Sequence, residues 1–252
     1  MLTHPTQDKL TTLKLLGMAA ALEEQRQSPA CDALSFEERL GLLVDREMTT
    51  RSNRQLAQRL KRARLRQNAV AEDIDFHQTR GLDRSLIQTL LSGDWLRRHD
   101  NCLITGPTGV GKSYLACALG NQACRLGWNV LYVRAPRLFS ELSIARADGS
   151  FGRRLMALSR VELLVLDDWG LAVLTAEQAR DLLEILEDRY DRKSTLIAAQ
   201  APVENWHALI GDATLADAAL DRLVHNAHRL ALTGDSMRKK RTALTKEASK
   251  TA

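Results

Sequence analysis

The chain has 252 residues, of which 44% are hydrophobic and 27% are charged, and its formal net charge is +5. This composition predicts a water-soluble globular protein with room for one α/β domain and a smaller appendage. No apolar run approaches the ~20 residues of a membrane-spanning helix, and residues 1–9 lack the apolar core of a signal peptide. We therefore expect neither a membrane anchor nor export.

Four cysteines occur in the chain, and none of them forms a Cys-x-x-Cys pair: Cys31, Cys102, Cys117 and Cys124. Three of the four lie in segments that we expect to be buried. This pattern favours reduced thiols and a cytoplasmic location over disulfides or a metal centre.

Basic residues concentrate at two places in the chain. One group contains no acid and consists of Arg51, Arg54, Arg59, Lys61, Arg62, Arg64 and Arg66. The other lies near the C-terminus and consists of Arg238, Lys239, Lys240, Arg241, Lys246 and Lys250. Two basic clusters beside a near-neutral core favour a polyanionic partner, although a solvated helix face and a frayed tail would give the same pattern.

The first part of the chain has helical periodicity. Leucines and alanines at helical spacing predict a first helix over residues 7–27, which Ser28-Pro29 ends. Ser35 and Glu38 match a capping box, which predicts a second helix that ends near Thr49. A third, basic helix is predicted from Asn53 to Arg66. The sequence thus predicts a small all-α N-terminal domain over residues 1–68, followed by a larger domain over 69–243 and a basic tail over 244–252.

The larger domain alternates short apolar runs with helical segments. Residues 71–76 read as a linker, and residues 82–97 as a helix with an apolar stripe. Five strands are predicted, at 102–105, 129–133, 163–166, 194–199 and 229–232. Helices are predicted between them, at 138–147, at 151–158 and from the Thr175-x-x-Gln178 cap to Tyr190. This alternation predicts a parallel five-stranded α/β sheet flanked by helices.

A glycine-rich motif follows the first predicted strand and opens a helix that begins near Tyr114. It reads Gly106-Pro107-Thr108-Gly109-Val110-Gly111-Lys112-Ser113. Strand, loop, Lys-Ser and helix together are the context of a phosphate-binding P-loop, whose backbone N–H groups surround phosphate oxygens. We therefore predict ATP as the ligand, with Lys112 on the β- and γ-phosphates and the Ser113 hydroxyl on Mg²⁺. A glycine-rich turn with an exposed lysine is the alternative.

Two acids follow the fully apolar strand at 163–166. Such a strand is typical of the buried centre of a parallel sheet, and a carboxylate at its end matches the Walker B pattern. Asp167 is the predicted metal-side carboxylate, and Asp168 could polarise the water that attacks the γ-phosphate. Alternatively, the two acids only mark the polar end of a strand. A water acceptor favours an ATPase over a kinase.

The spacing of residues 106–113, 163–168 and 195–200 resembles that of the AAA+ ATPases. Residues 202–207, 220–227 and 234–240 are similar to blocks of the IstB-type transposition helper ATPases, which are relatives of the DnaC and DnaI helicase loaders. The resemblance covers nearly the whole chain. It implies an AAA+ fold with a helical N-terminal domain and without a C-terminal helical lid.

The resemblance also implies roles for single residues. Gln200 would lie at or beside the sensor that detects the γ-phosphate, and Arg222 would reach into the site of a neighbouring subunit, unless it forms a helix-surface salt bridge. Arg238 resembles a second sensor, with a contact to DNA phosphate as the alternative. Phe76 lies where the adenine pocket of the family begins, and it either stacks on the base or packs in the core.

Four functional hypotheses follow from these observations. The first is an ATP-dependent regulator that assembles as a homo-oligomer on duplex DNA without sequence preference and assists a transposase. Its predicted DNA-binding residues are Arg51, Arg54, Arg59, Lys61, Arg62, Arg64, Lys239 and Lys240. The second is a replicative helicase loader, the third is a small-metabolite kinase, and the fourth is a DNA clamp that hydrolyses ATP only as a slow reset.

Overall fold

The structure is a computed structural model that describes residues 5–77 and 80–237. The chain divides into two compact units, Met1–Gln58 and Arg59–Ala252. The domain boundary predicted between residues 68 and 69 falls within the second unit. The predicted tail, residues 244–252, lies outside the described residues.

The described part of the first unit is helical, as the sequence predicts. Its helices are α1 (Pro5–Thr12), α2 (Leu16–Gln27) and α3 (Phe36–Ala63), the last of which continues into the second unit. The capping box at the start of α3 is confirmed, because Ser35 N donates to Glu38 Oε2 at 2.8 Å and Glu38 N donates to Ser35 Oγ at 3.3 Å.

The predicted helix boundaries in this region were wrong in two places. The first predicted helix is divided at Lys14, which takes a positive φ of 60°. This turn of the backbone lets Leu15 N donate to Leu10 O at 2.9 Å, and α1 ends there. A single left-handed residue can end a helix without disturbing its apolar periodicity, so the pattern does not reveal the break. The second and third predicted helices are one helix, α3, which runs through Thr49 to Ala63. Within it the Thr50 hydroxyl donates to Arg46 O at 2.7 Å, so this polar side chain is accommodated without ending the helix.

Gly17 lets α2 approach α3 closely within the first unit. A Cβ at Gly17 would lie 2.7 Å from the Glu47 Cα. The Glu47 carboxylate accepts from the N–H groups of Gly17 at 2.7 Å and Met18 at 3.1 Å, and so binds the N-terminal turn of α2. Arg51 pairs with the same carboxylate at 2.6 Å and, by this hydrogen bond, lowers the pKa of Glu47.

The second unit is built on a parallel five-stranded sheet, and this prediction is confirmed. The strands are β1 (Asn101–Thr105), β2 (Val130–Arg134), β3 (Leu163–Trp169), β4 (Ser194–Ala199) and β5 (Ala227–Ala231). Their order across the sheet is β2-β3-β4-β1-β5. Every neighbouring pair is parallel, so the carboxyl ends of all five strands share one edge.

Helices precede β1 or join successive strands. They are α4 (Arg84–Ser92), α5 (Asp94–Arg97), α6 (Lys112–Arg125), α7 (Ala135–Ala147), α8 (Phe151–Arg160), α9 (Ala176–Arg189), α10 (Trp206–Ile210) and α11 (Ala213–Val224). The Thr175–Gln178 capping box of α9 is present as predicted. The single helix predicted over 82–97 is two helices, because Gly93 takes a φ of 79° between them.

The core of the second unit joins β3 and β4 to the surrounding helices. Trp169 and Trp206 pack edge to face, with ring centroids 5.8 Å apart. Arg189 is 1% exposed and donates to Leu158 O at 2.6 Å and Thr195 Oγ1 at 3.1 Å, which ties α9 to α8 and β4. Burial lowers the pKa of Arg189 to about 9.

All four cysteines are free thiols, as the sequence predicts. Cys102, Cys117 and Cys124 are buried, whereas Cys31 is partly exposed. Burial raises the pKa of Cys102 to about 12 and that of Cys124 to about 11. Within the described ranges, no helix combines the length and the apolar character that crossing a membrane requires.

We expect the Gly17→Ala substitution to lower the free energy of unfolding of the first unit by about 1–3 kcal/mol, because its Cβ meets backbone atoms of α3. Gly41→Ala is the matched control. Gly41 also lies in a helix, and the position that a Cβ would take there has nothing within 4 Å. Alanine should therefore stabilise α3 at this position by about 0.5–1 kcal/mol.

Chemical denaturation can separate the two units. The four tryptophans lie in the second unit, so their fluorescence follows that unit, while far-UV circular dichroism follows both. Equal stability of the Gly17→Ala variant and the wild-type protein would contradict the close approach of α2 and α3.

Candidate nucleotide-binding site

The glycine-rich loop lies between β1 and α6. Strand β1 ends at Thr105, and α6 begins at Lys112. Only glycine fits at position 106, because a Cβ there would lie 2.3 Å from Leu232 O. The φ of Gly106, 143°, is also one that other residues rarely adopt. The loop therefore has the strand–loop–helix context predicted for a P-loop.

Lys112 lies under this loop with 9% of its surface exposed. Its Nζ donates to Gly106 O at 2.6 Å and to Pro107 O at 2.8 Å. These bonds hold the ammonium group against the loop, within the concavity that the backbone forms. A lysine on an exposed turn would not be enclosed in this way.

A cavity of about 310 Å³ opens beside the loop. Its lining includes these predicted residues: Thr108, Gly109, Gly111, Lys112, Ser113, Tyr114, Asp167, Asp168 and Gln200. Three segments far apart in the sequence thus meet at one cavity at the carboxyl edge of the sheet. Gly106, Pro107 and Val110 belong to the same loop but do not line the cavity.

The two acids lie within β3, which extends to Trp169 rather than ending at Leu166 as predicted. The pairing with β4 shifts between Leu166 and Trp169, and Asp168 takes a φ of 57°. A bulge of this kind redirects a side chain, so both acids line the cavity although they are consecutive in a strand.

Asp167 is 1% exposed and has hydrogen-bond partners on both oxygens. Tyr132 donates its hydroxyl to Asp167 Oδ2 at 2.5 Å, and Asp168 N donates to Asp167 Oδ1 at 2.9 Å. Burial, followed by the bond to Asp167, raises the pKa of the Tyr132 hydroxyl. The phenol therefore stays a donor that orients the Asp167 carboxylate.

Two arginines approach the acid pair. Arg134 Nε lies 2.5 Å from Asp168 Oδ2, and Arg66 Nη1 lies 3.6 Å from the same oxygen. Arg66 Nη1 also lies 3.8 Å from Asp167 Oδ2. Its hydrogen bond with Tyr132, supported by the charges of both acids, raises the pKa of Arg66.

Arg80 is a residue of this site that the sequence analysis missed. It lines the cavity and is only 5% exposed. Its Nη1 donates to Val110 O at 3.1 Å and its Nη2 to Asp75 O at 2.8 Å. Nη1 would also lie 2.6 Å from a Cβ at Gly111, so the guanidinium supports the last turn of the loop.

Five further lining residues were not among the predicted site residues, namely Gln67, Asp73, Asp75, Ala198 and Met237. The first three belong to segments predicted as a helix end and a linker. Met237 N donates to Gly109 O at 2.9 Å, so the chain after β5 returns to the loop. Residues 234–240 and the region of Phe76 were identified only through the family resemblance, because no periodicity in these segments indicates that they converge on the loop.

Several predicted residues do not line the cavity. Arg222 pairs with Glu187 at 2.6 Å and donates to Ala218 O at 2.9 Å, so the salt bridge of the alternative interpretation is present. Phe76 lies under the Arg84 guanidinium, 5.4 Å from the ring centroid. Arg238, Lys239 and Lys240 lie outside the described residues.

The predicted DNA-binding residues of the first cluster are surface side chains. Arg54, Lys61, Arg62 and Arg64 are exposed, and Arg51 is exposed beside Glu47. Arg59 is half-buried and donates to Cys124 O at 3.2 Å. Arg59 thus stabilises the second unit, and its availability to a ligand is correspondingly lower.

The donor set fits a magnesium nucleotide. Ser113 and Asp167 both line the cavity, and Mg²⁺ typically takes one or two protein oxygens and completes its shell with phosphate and water. Among the described residues, no group of three or more His, Cys, Asp or Glu side chains could hold a metal without such help.

Comparison with known families decides the assignment of the chain. The profile of the family described as IstB-like ATP binding protein matches residues 8–245. The chain belongs to this family. A relative from Sinorhizobium fredii, named as the insertion sequence ATP-binding protein y4pL, is 55% identical over 239 residues, which are 95% of this chain and 98% of the relative.

Solved structures share the fold of the IstB-like chain. The crystal structure of DnaI has a TM-score of 0.58 and 20% identity, and the match covers 70% of this chain and 94% of DnaI. The DnaC helicase loader has a TM-score of 0.57 and 21% identity, with coverage of 66% and 97%. The predicted AAA+ fold and the resemblance to IstB-type proteins are therefore confirmed.

We expect Arg80→Met to lower ATP affinity about tenfold or more, because two carbonyls beside the loop lose a buried donor. Titration with a fluorescent ATP analogue measures this change. Arg84→Met is the control, because Arg84 is exposed, lies over Phe76 and does not line the cavity. A variant at Arg80 that binds ATP like the control would contradict this role.

Proposed function

We propose that this chain is an ATP-hydrolysing, DNA-binding regulator that assists the transposase of an insertion sequence. The observation that carries the proposal is the convergence of Lys112, Ser113, Asp167 and Asp168 on one cavity. Membership of the IstB-like family and the name of the relative from Sinorhizobium fredii support the link to insertion sequences.

The predicted residues at the phosphate end of the cavity have separate roles in hydrolysis under this proposal. Lys112 binds the β- and γ-phosphates, and the loop N–H groups bind phosphate oxygens. Ser113 and Asp167 would hold Mg²⁺, which would supply positive charge to neutralise the phosphates. Asp168 orients the attacking water, and Gln200, which follows β4, contacts the γ-phosphate side of the cavity.

The proposal includes a homo-oligomer in which Arg222 acts on the site of the next subunit. An arginine supplied in trans stabilises charge that develops during phosphoryl transfer, which makes hydrolysis depend on assembly. The side chains of Arg222 and Glu187 are 26% and 47% exposed, and a partly solvated pair contributes about 0–1 kcal/mol. Exchange of Glu187 for a phosphate is therefore energetically accessible.

Under this proposal, DNA binds to the exposed basic side chains of Arg54, Lys61 and Arg62. Contacts with phosphates by such side chains are independent of sequence and decrease with added salt. ATP hydrolysis would dissolve the protein–DNA assembly, with the transposase as its trigger. The rate of hydrolysis would then set the lifetime of the protein–DNA complex.

A helicase loader is the alternative function, because the chain shares its fold with DnaI and the DnaC helicase loader. Those similarities have only 20% and 21% identity, so they support the fold and not the partner. Capture of a replicative helicase, together with indifference to duplex DNA, would favour this alternative.

Sedimentation on random-sequence duplex DNA tests the proposal. We expect ATP, but not ADP, to give a large protein–DNA complex, and Lys112→Ala to abolish it because the loop loses its phosphate-binding ammonium. Lys193→Ala is the control, since Lys193 pairs with Glu162 at 3.4 Å and does not line the cavity. A wild-type monomer that ignores duplex DNA in every nucleotide state would contradict the proposal.

Mixing of two inactive variants tests the role of Arg222. We expect Arg222→Ala to bind ATP but to lose most hydrolysis, and Lys112→Ala to lose ATP binding. A mixture of the two should regain part of the rate, because intact sites of one variant meet intact arginines of the other. The steady-state ATPase rate measures this rescue, and no rescue at any mixing ratio would contradict action in trans.

A further inference from the structure

A second cavity, of about 240 Å³, lies beside β2 at the edge of the sheet. Leu131, Val133, Leu138 and Leu158 contribute its apolar walls. Five arginines line it: Arg64, Arg66, Arg134, Arg137 and Arg154. We refer to this cavity as the arginine groove.

The arginine groove carries more positive than negative charge. Its one acid, Glu141, accepts from Arg137 Nε at 2.8 Å and also pairs with Arg154. Arg134 and Arg66 face Asp168 from the same side. Even with Asp167 and Asp168 included, the five arginines face three carboxylates. A concave site with this excess attracts anions.

Arg64 has no compensating acid and no hydrogen-bond partner in the described chain, and it is exposed. Its backbone takes a φ of 53°, directly after the end of α3 at Ala63. Glycine or asparagine would fit this left-handed position better than arginine. The described contacts therefore give the arginine side chain no structural role at a position that disfavours it.

Arg66 is shared by the arginine groove and the acid pair. It lines the groove, contacts Tyr132, and lies within 3.8 Å of Asp167 and 3.6 Å of Asp168. Its side chain is 41% exposed, so its pairing with the acids is weak. A phosphate offers the guanidinium a bidentate, charge-assisted partner and competes well with such a pair.

We propose that the arginine groove binds a phosphate of the DNA backbone, and that this phosphate draws Arg66 away from Asp168. DNA binding in the groove thereby changes the ion pairing of Asp168, the acid proposed to orient the attacking water. This inference rests on the proposed function and deepens it, since it gives DNA a contact beside β2 and a direct effect on the ATPase rate. It concerns side chains outside the nucleotide cavity, except for their contacts with the two acids.

Fluorescence anisotropy of a labelled random-sequence duplex tests the binding step. Arg64→Gly and Arg66→Ala should each weaken binding about three- to tenfold. Each should also make the negative slope of log K against log salt shallower, by about 0.9 per lost phosphate contact. Arg97→Ala removes the same charge from an exposed residue that pairs with Asp94, and it should match the wild-type protein. Arg64→Gly also preserves the backbone, because glycine accepts its φ.

The ATPase rate with and without duplex DNA tests the coupling. Arg66→Ala should raise the basal rate and reduce stimulation by DNA toward onefold, whereas Arg66→Lys should keep part of the stimulation. Inorganic phosphate and polyglutamate serve as competitors. If either binds to the wild-type protein but not to Arg64→Gly, and leaves DNA bound at its usual affinity, a small anion or an acidic peptide occupies the groove, and the proposal is overturned.

Failure of this inference is distinguishable from failure of the proposed function. Wild-type protein that binds duplex DNA, together with groove variants that match Arg97→Ala in affinity, salt slope and stimulation, would overturn the inference alone. Wild-type protein that binds no duplex DNA would overturn both.

Discussion

The parallel register of β1, β3 and β4 is the constraint on which the nucleotide site depends. Thr105 and Trp169 both pair with Ala199, so the loop after β1, the acids of β3 and the segment after β4 begin at one level. Side chains alternate between the two faces of a strand, so a slip of one residue would turn Asp167 away from the loop. The buried aliphatic residues of these strands thus fix the geometry of the nucleotide site through their pairing.

The acid pair adds an electrostatic constraint to this geometry. Two neighbouring carboxylates repel one another, and Tyr132, Arg66 and Arg134 compensate them from the β2 side. Two unit charges 4 Å apart interact by about 4 kcal/mol at an effective dielectric constant of 20, but exposed pairs contribute about 1 kcal/mol or less after solvation. The arginines are 41% and 49% exposed, so the compensation costs little to rearrange.

The sequence predicted those features that depend on local chemistry. The Gly106–Ser113 loop, both capping boxes and the five strands depend on backbone preference and apolar patterning over a few residues. The structure has all of them, although β3 extends to Trp169 and β5 spans Ala227–Ala231 instead of the predicted 229–232. Breaks at Lys14 and Gly93 were missed because one left-handed residue leaves the apolar periodicity intact. Arg80 and Met237 were missed because their contacts with the loop exist only after distant segments fold together. The bulge that redirects Asp168 was missed for the same reason, because it exists only where β3 pairs with β4.

The burial of the cysteines has a practical consequence for chemical labelling. Thiol reagents react with the thiolate, and the buried thiols of Cys102 and Cys124 resist both access and ionisation. Cys31, which is partly exposed in the first unit, is the thiol that a maleimide dye reaches first. A native chain can therefore carry a fluorophore beside its N-terminal helices while its nucleotide-binding unit stays unmodified.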